Sequence, residues 1–159
     1  MKPVVHIESS VVSYLTARAS DDPIKSAWQA VTKQWWNAQL HQVTACISPY
    51  VIAEVSAGDP VAAMQRVDAI RGLNLLEVNE AIEDLADFLL LGGALPTKAR
   101  FDALHIACAA YHGIDIVLTW NFKHIANPVQ LPVMRGLCAA RGYRLPELVS
   151  PLEMMESSI

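Results

Sequence analysis

Short apolar runs alternate with helix-starting signals along most of this chain, and that alternation restricts the fold more than any other feature. Val4-Val5-His6-Ile7 is apolar without a polar beat, the pattern of a strand covered on both faces. Residues 43–48, 73–78 and 114–119 are further strand-like runs, and Leu148-Val149 adds an edge strand. Between these runs lie the helices. Asp22-Pro23 and Asp59-Pro60 each place a capping side chain before a proline at the first helical position. The first opens a helix to about Leu40, on which Ile24, Trp28, Val31 and Trp35 form a stripe. The second opens one that carries Val61, Met64, Val67 and Ile70 on one face and stops at Gly72. Residues 49–57, 80–91, 98–112 and 129–141 are the remaining helices, each closed by a glycine. Strand followed by helix, repeated, predicts a mostly parallel central sheet with helices on both faces, a three-layer α/β/α sandwich. With no repeat or linker, residues 1–159 are expected to form a single domain.

Composition narrows the function classes. Apolar residues make up 53% and charged residues 18%, so the chain carries enough core to fold. No apolar stretch reaches the roughly 18 residues that span a bilayer, and Met1-Lys2-Pro3-Val4-Val5 lacks signal-peptide anatomy. Cys46, Cys108 and Cys138 form no CxxC pair and read as reduced, buried thiols. The expectation is a cytoplasmic protein without a membrane partner. A net charge of −4 argues against a broad basic nucleic-acid surface, leaving a local basic patch to steer any polyanion.

The informative acids are those placed where a solvated charge should not be. Glu80, Glu83, Asp84 and Asp87 share one helix face opposite Ile82, Leu85 and Leu89, which is an ordinary solvent face. Three others break the pattern. Glu8 follows the buried strand at its C-terminal end, Glu54 interrupts an apolar helix, and Asp102 sits in Phe101–Ala110, a helix apolar nearly all round. An ionised carboxylate out of water costs several kcal/mol unless it is paired or bound to a cation. For each acid alone the ordinary explanation is a cap or an ion pair: an arginine for Glu54, Lys98 or Arg100 for Asp102. Together, on three apolar elements, they suit a shared divalent ion, and oxygen ligands suit Mg²⁺ or Mn²⁺. Glu8 lies where open parallel sheets place their functional crevice.

These residues resemble the PIN-domain family. Val4-Val5-His6-Ile7-Glu8-Ser9-Ser10 is similar to its opening strand, acid and small hydroxyl residue, and Ile52-Ala53-Glu54-Val55 to its helical glutamate. Phe101-Asp102-Ala103-Leu104-His105-Ile106-Ala107-Cys108-Ala109-Ala110 resembles its D-x-x-I-A-x-A stretch. Ile116-Val117-Leu118-Thr119-Trp120-Asn121 looks like its strand, threonine and acidic turn. The matches run in family order over residues 4–125 and are nearest the VapC-like toxin branch. Two positions depart from the pattern: Glu8 stands where aspartate is usual, and Asn121 where the fourth acid often stands. His124 replaces a further aspartate.

The resemblance implies a metal-dependent endoribonuclease, the toxin of a toxin–antitoxin pair, that cleaves RNA phosphodiester bonds. Glu8, Glu54 and Asp102 would hold Mg²⁺ or Mn²⁺. Asn121 would complete the catalytic set by positioning water or phosphate, with Thr119 and Ser9 as supporting hydrogen-bond donors. Arg18, Lys98, Arg100 and Lys123 are candidate phosphate contacts. His105, three residues after Asp102, either supports that acid or packs in a helix interface, while His6, His41 and His112 show no pairing at ligand spacing. Trp28 and Trp35 read as core. Trp36, off their stripe, and Trp120, beside the site, read as partner or base contacts, with Trp36 at a homodimer surface or antitoxin groove. Two other classes compete: a PIN-like RNA- or protein-binding module that lost efficient chemistry with Asn121, and a phosphate-receiving signalling domain. Asp115 at a strand start disfavours the latter.

Overall fold

The computed structural model describes residues 1–157 and contains five strands and eight α-helices among them. In chain order these are β1 (Val4–Ile7), α1 (Ser9–Thr16), α2 (Pro23–Gln39), β2 (Thr44–Ile47), α3 (Pro49–Val55), α4 (Pro60–Ile70), β3 (Asn74–Leu75), α5 (Glu80–Leu91), α6 (Arg100–Tyr111), β4 (Ile116–Leu118), α7 (Leu131–Ala140), β5 (Glu147–Val149) and α8 (Pro151–Ser157). The sheet order is β3-β2-β1-β4-β5, and every pairing is parallel. The chain builds outward from β1 to β3, then returns to the other side of β1 for β4 and β5. The strand order therefore reverses between β1 and β4, the switch point at which sheets of this kind form a crevice.

Period-two alternation divides the core. Val5, Ile7, Ala45, Ile47, Ile116 and Leu118 face one side, against α1, α2 and α3. Cys46, Val117 and Leu148 face the other, where α5, α6 and α7 pack. α6 is buried from Ala103 through Ala110, which explains why its sequence shows no polar face. Gly113 ends it in a left-handed conformation at φ 64°, and the Ile114 amide turns back to the Ala109 carbonyl.

The expected sandwich is present, with three local differences. α1 is unanticipated, and so is α8. The strand expected over 73–78 shortens to Asn74–Leu75, because both residues lie exposed at the sheet edge. On α2 the expected stripe is displaced. Ile24 is exposed, and the buried residues are Gln29, Thr32 and Trp35. Gln29 is inside because its amide bonds the α1–α2 loop, donating to the Arg18 carbonyl at 2.8 Å and accepting from the Ser20 amide at 3.0 Å. Trp36 is half-buried and packs edge-on against Trp35 at 6.4 Å, at the rim of the α1–α3 core.

All three cysteines are free and buried. Burial pushes the Cys46 and Cys108 thiols up to about 12 and Cys138 to about 11. The native protein is therefore expected to resist iodoacetamide at pH 8 and to label all three sites only when unfolded, as read by mass spectrometry. Rapid labelling of any one in the native state would contradict the packing described. None of the described helices is long and apolar enough to cross a membrane.

Candidate functional site

Glu8 leaves β1 at its C-terminal end and caps α1, its Oε2 accepting from the Ser10 amide at 3.0 Å. Its Oε1 takes two hydroxyl donors, Ser10 Oγ at 2.5 Å and Thr119 Oγ1 at 2.5 Å. Thr119 directly follows β4 and Ser10 lies in the first turn of α1, so this carboxylate is gripped from both sides of the switch point. Thr119 Oγ1 also accepts from the Asn121 amide at 2.9 Å, which folds the chain after β4 into the turn that carries Asn121. Glu8 is only 4% exposed and Thr119 fully buried, so these bonds hold the carboxylate in one orientation.

Glu54 arrives from the last turn of α3. Its Oε1 accepts from Ser9 Oγ at 2.6 Å and pairs with His105 Nε2 from α6, a short contact. Burial raises this carboxyl, but the His105 hydrogen bond and charge and the Ser9 bond outweigh it, so Glu54 lies below the usual glutamate range. Burial alone would lower His105. The Glu54 bond, with the charges of Glu8, Glu54 and Asp102, reverses that and holds it above the ordinary histidine value. One atom each of Glu8, Glu54 and His105 lies within 4.8 Å of the others.

Asp102, on the first turn of α6, joins this cluster from the side. Burial raises its carboxyl first and the charge of Glu8 second, opposed by His105, His124 and a hydrogen bond from Asn121. The balance is upward. The site thus gathers more negative charge than its own residues neutralise. None of its acids is paired with a lysine or arginine among the described residues. Arg100, the neighbour that could have neutralised Asp102, pairs with Asp87 instead. Glu54 Oε2 accepts no hydrogen bond from any described residue, and so a carboxylate oxygen remains available in the crevice.

The structure brings Glu8 and Glu54 together with His105, Ser9 and Thr119, and sets Asp102, with Asn121, within electrostatic reach of Glu8 and His105 outside that close trio. It adds one partner and corrects one expectation. His105 bonds Glu54, which lies across the fold on α3, and acts on Asp102 through its charge. Trp120 is no base contact. It is 4% exposed, stacked on Trp28 at 4.8 Å, and its Nε1 donates to Thr32 Oγ1 at 2.8 Å. Among the phosphate candidates, Arg18, Lys98 and Lys123 are exposed, and Arg100 is engaged by Asp87. Asn121 spends its Oδ1 on the His124 amide at 3.0 Å, and its side chain lies near enough to Asp102 to oppose the rise of that carboxyl.

Sequence reasoning gave His6 no partner at ligand spacing. It is fully buried on β1, its ring 6.0 Å from that of His105, and neither nitrogen has a partner among the described residues. Burial, then the charges of His105 and His112, bring it down to about 3, so it is neutral at physiological pH. At the opposite end of the sheet, Asp115 Oδ2 accepts from the Val4 amide at 2.9 Å. It ties strand starts together, far from any receiver pocket at the strand ends.

Solved structures share this architecture. The crystal structure of VapC20 from Mycobacterium tuberculosis, a sarcin–ricin-loop-cleaving toxin, aligns with a TM-score of 0.60 at 19% identity, over 78% of this chain and 95% of that one. VapBC2 from Rickettsia felis, solved bound to a DNA fragment from its promoter, aligns with a TM-score of 0.56 at 16% identity, over 79% of this chain and 93% of that one. No protein-family model matches the sequence, and no curated protein matches it. The chain has the PIN-like α/β/α fold of the VapC toxins.

Proposed function

We propose that this chain is a metal-dependent endoribonuclease and the toxin of a toxin–antitoxin pair. The observation that carries this reading is the convergence of Glu8 and Glu54 with His105 at the switch point, with the Asp102 charge beside Glu8 and no lysine or arginine counter-charge among the described residues. A site that holds the Asp102 carboxyl up, first by burial and then by the charge of Glu8, gains from a divalent cation that favours the ionised form. The donor set fits one. Glu8, Glu54 through its free Oε2, and Asp102 offer oxygens suited to Mg²⁺ or Mn²⁺, and His105 is committed to Glu54 as the group that orients it. When bound, such an ion lowers the pKa of water and offsets charge developing on phosphate oxygens.

The protein's own residues do the positioning. Ser10 and Thr119 fix Glu8, Ser9 and His105 fix Glu54, and Asn121 lies beside Asp102. RNA as substrate, a protein antitoxin as partner and a homodimer as the working assembly belong to this reading, and the structural likeness to VapC toxins supports the first two. Incubation of the purified chain with a mixed RNA pool is the test. Cleavage is expected with Mn²⁺ or Mg²⁺ and none in EDTA. RNA left intact with either ion would reject the nuclease.

The second reading is a PIN-like module that binds RNA or protein without efficient chemistry. It is favoured by one observation, that Asn121 commits its amide oxygen to the His124 amide and brings no charge to the cluster. The same incubation separates the two, because a module would retain RNA uncut.

A further inference from the structure

Tyr14, Trp28, Trp120 and Phe122 form a continuous aromatic cluster beside the site. Trp120 stacks on Trp28 with their planes 12° apart. Tyr14 meets both indoles edge-on at 5.7 and 6.2 Å, and Phe122 does so at 5.6 and 6.1 Å. The burial within the cluster is graded. Trp120 is enclosed, Tyr14 and Trp28 are half-buried, and Phe122 is 38% exposed. A phenyl ring held edge-on by two indoles and still open to solvent offers a face that the monomer leaves uncovered.

The cluster is physically continuous with the acids. Phe122 follows Asn121, which bonds Asp102. The Trp120 amide donates to Ser10 Oγ at 2.8 Å, the hydroxyl that grips Glu8. Tyr14 lies one helical turn beyond Ser10 on the same face of α1. On its far side Tyr14 joins a cleft of about 360 Å³ whose lining includes Arg18, Ser20, Lys25 and Gln29. That volume falls in the range of about 300–1,000 Å³ typical of ligand sites. Arg18 and Lys25 are exposed and make no ion pair with a described residue, in a chain whose net charge is −4.

We propose that the Phe122–Trp28–Tyr14 surface and the Arg18–Lys25 cleft form a binding track for single-stranded RNA flanking the scissile phosphodiester, with a nucleobase stacked on Phe122 and the backbone phosphates met by Arg18 and Lys25. The proposal rests on the nuclease reading for where the strand is cut, but not for whether it binds. Exposed aromatic faces next to unpaired cations are the combination that single-stranded nucleic acid needs, since every base has a π-face and every linkage a charge. A protein segment would use the same ring but has no general need for the two unpaired cations of the adjoining cleft.

Binding of a labelled mixed-sequence single-stranded RNA, read by fluorescence anisotropy in EDTA, tests the track without cleavage. Phe122→Leu, which keeps an apolar side chain of similar bulk, is expected to weaken binding about tenfold, the loss typical of one stacked base. Phe122→Trp is expected to retain it. Arg18→Ala and Lys25→Ala are each expected to reduce the slope of log affinity against log salt by about 0.7. Wild-type affinity in Phe122→Leu would overturn the proposal and mark the ring as a face for a protein partner. No RNA affinity in the wild type would overturn it as well. RNA that is bound in EDTA with the expected losses, yet stays uncut with Mn²⁺, would leave the track standing and reject the nuclease. Cleavage by the wild type with unaltered binding in Phe122→Leu would do the reverse.

Discussion

Asp102→Asn is expected to reduce Mn²⁺-dependent RNA cleavage by about a thousandfold while leaving the protein folded. The fold change corresponds to the several kcal/mol that metal-assisted chemistry supplies to a phosphoryl transition state. Stability should not suffer. Asp102 is held above its ordinary pKa by burial and by the charge of Glu8, so its ionised form is a cost that the neutral amide removes. A second readout separates ion binding from chemistry. At Mn²⁺ a hundredfold above its dissociation constant, preferential binding to the native state is worth about 2.7 kcal/mol, or roughly 5–10 °C in Tm for a chain of this length. That shift should appear in the wild type and vanish in Asp102→Asn. A wild-type melting curve that ignores millimolar Mn²⁺ would remove the ion from the proposed mechanism, and an equal shift in the variant would remove Asp102 from the ligand set.

Much of the fold was legible because burial on both sheet faces leaves a plain signature. Apolar runs without alternation marked β1, β2 and β4, and the two Asp-Pro starts located α2 and α4 to the residue. α1 escaped because Ser9-Ser10-Val11-Val12-Ser13-Tyr14-Leu15-Thr16 is rich in residues that favour other conformations in isolation. It is a helix because Val11 and Val12, both fully buried, must cover the sheet, and because Glu8 caps its first turn. Intrinsic preference lost to tertiary packing, as it commonly does in a short helix.

The acids of the site were legible for a related reason. A carboxylate in an apolar element is conspicuous whatever its partner. What each acid touches was not, because those partners come from distant parts of the chain. Glu54 meets His105 from another helix, and Glu8 meets Thr119 from another strand. Spacing along one helix offered His105 either Asp102 or a helix interface, and only the packing of α3 against α6 brings Glu54 to it. Basic residues were harder still. Arg100 looked like a phosphate contact until Asp87 on α5 claimed it.

Trp120 shows the same limit from the other side. Its place in sequence next to Asn121 suggested a surface contact, yet its environment is that of a core residue. Trp120→Ala is therefore expected to destabilise the protein by about 3–5 kcal/mol, the usual cost of emptying a buried tryptophan site. The components are visible. The substitution removes the 4.8 Å stack on Trp28, leaves Thr32 Oγ1 without its indole donor in a fully buried position, and opens space between α1, α2 and the sheet. Against a typical total of about 5–15 kcal/mol, such a loss takes a large share of the stability and lowers Tm by roughly 10 °C. Trp120→Phe, which keeps the ring but not the N–H, should fall between the two. Urea unfolding followed by far-ultraviolet circular dichroism measures all three. Because Trp120 braces both Trp28 and Phe122, the alanine variant should also lose RNA affinity, with a fall in stability that Phe122→Leu does not share. An alanine variant within 1 kcal/mol of the wild type would mean that the indole carries no structural load, and Trp120 would return to the surface role its sequence position suggested.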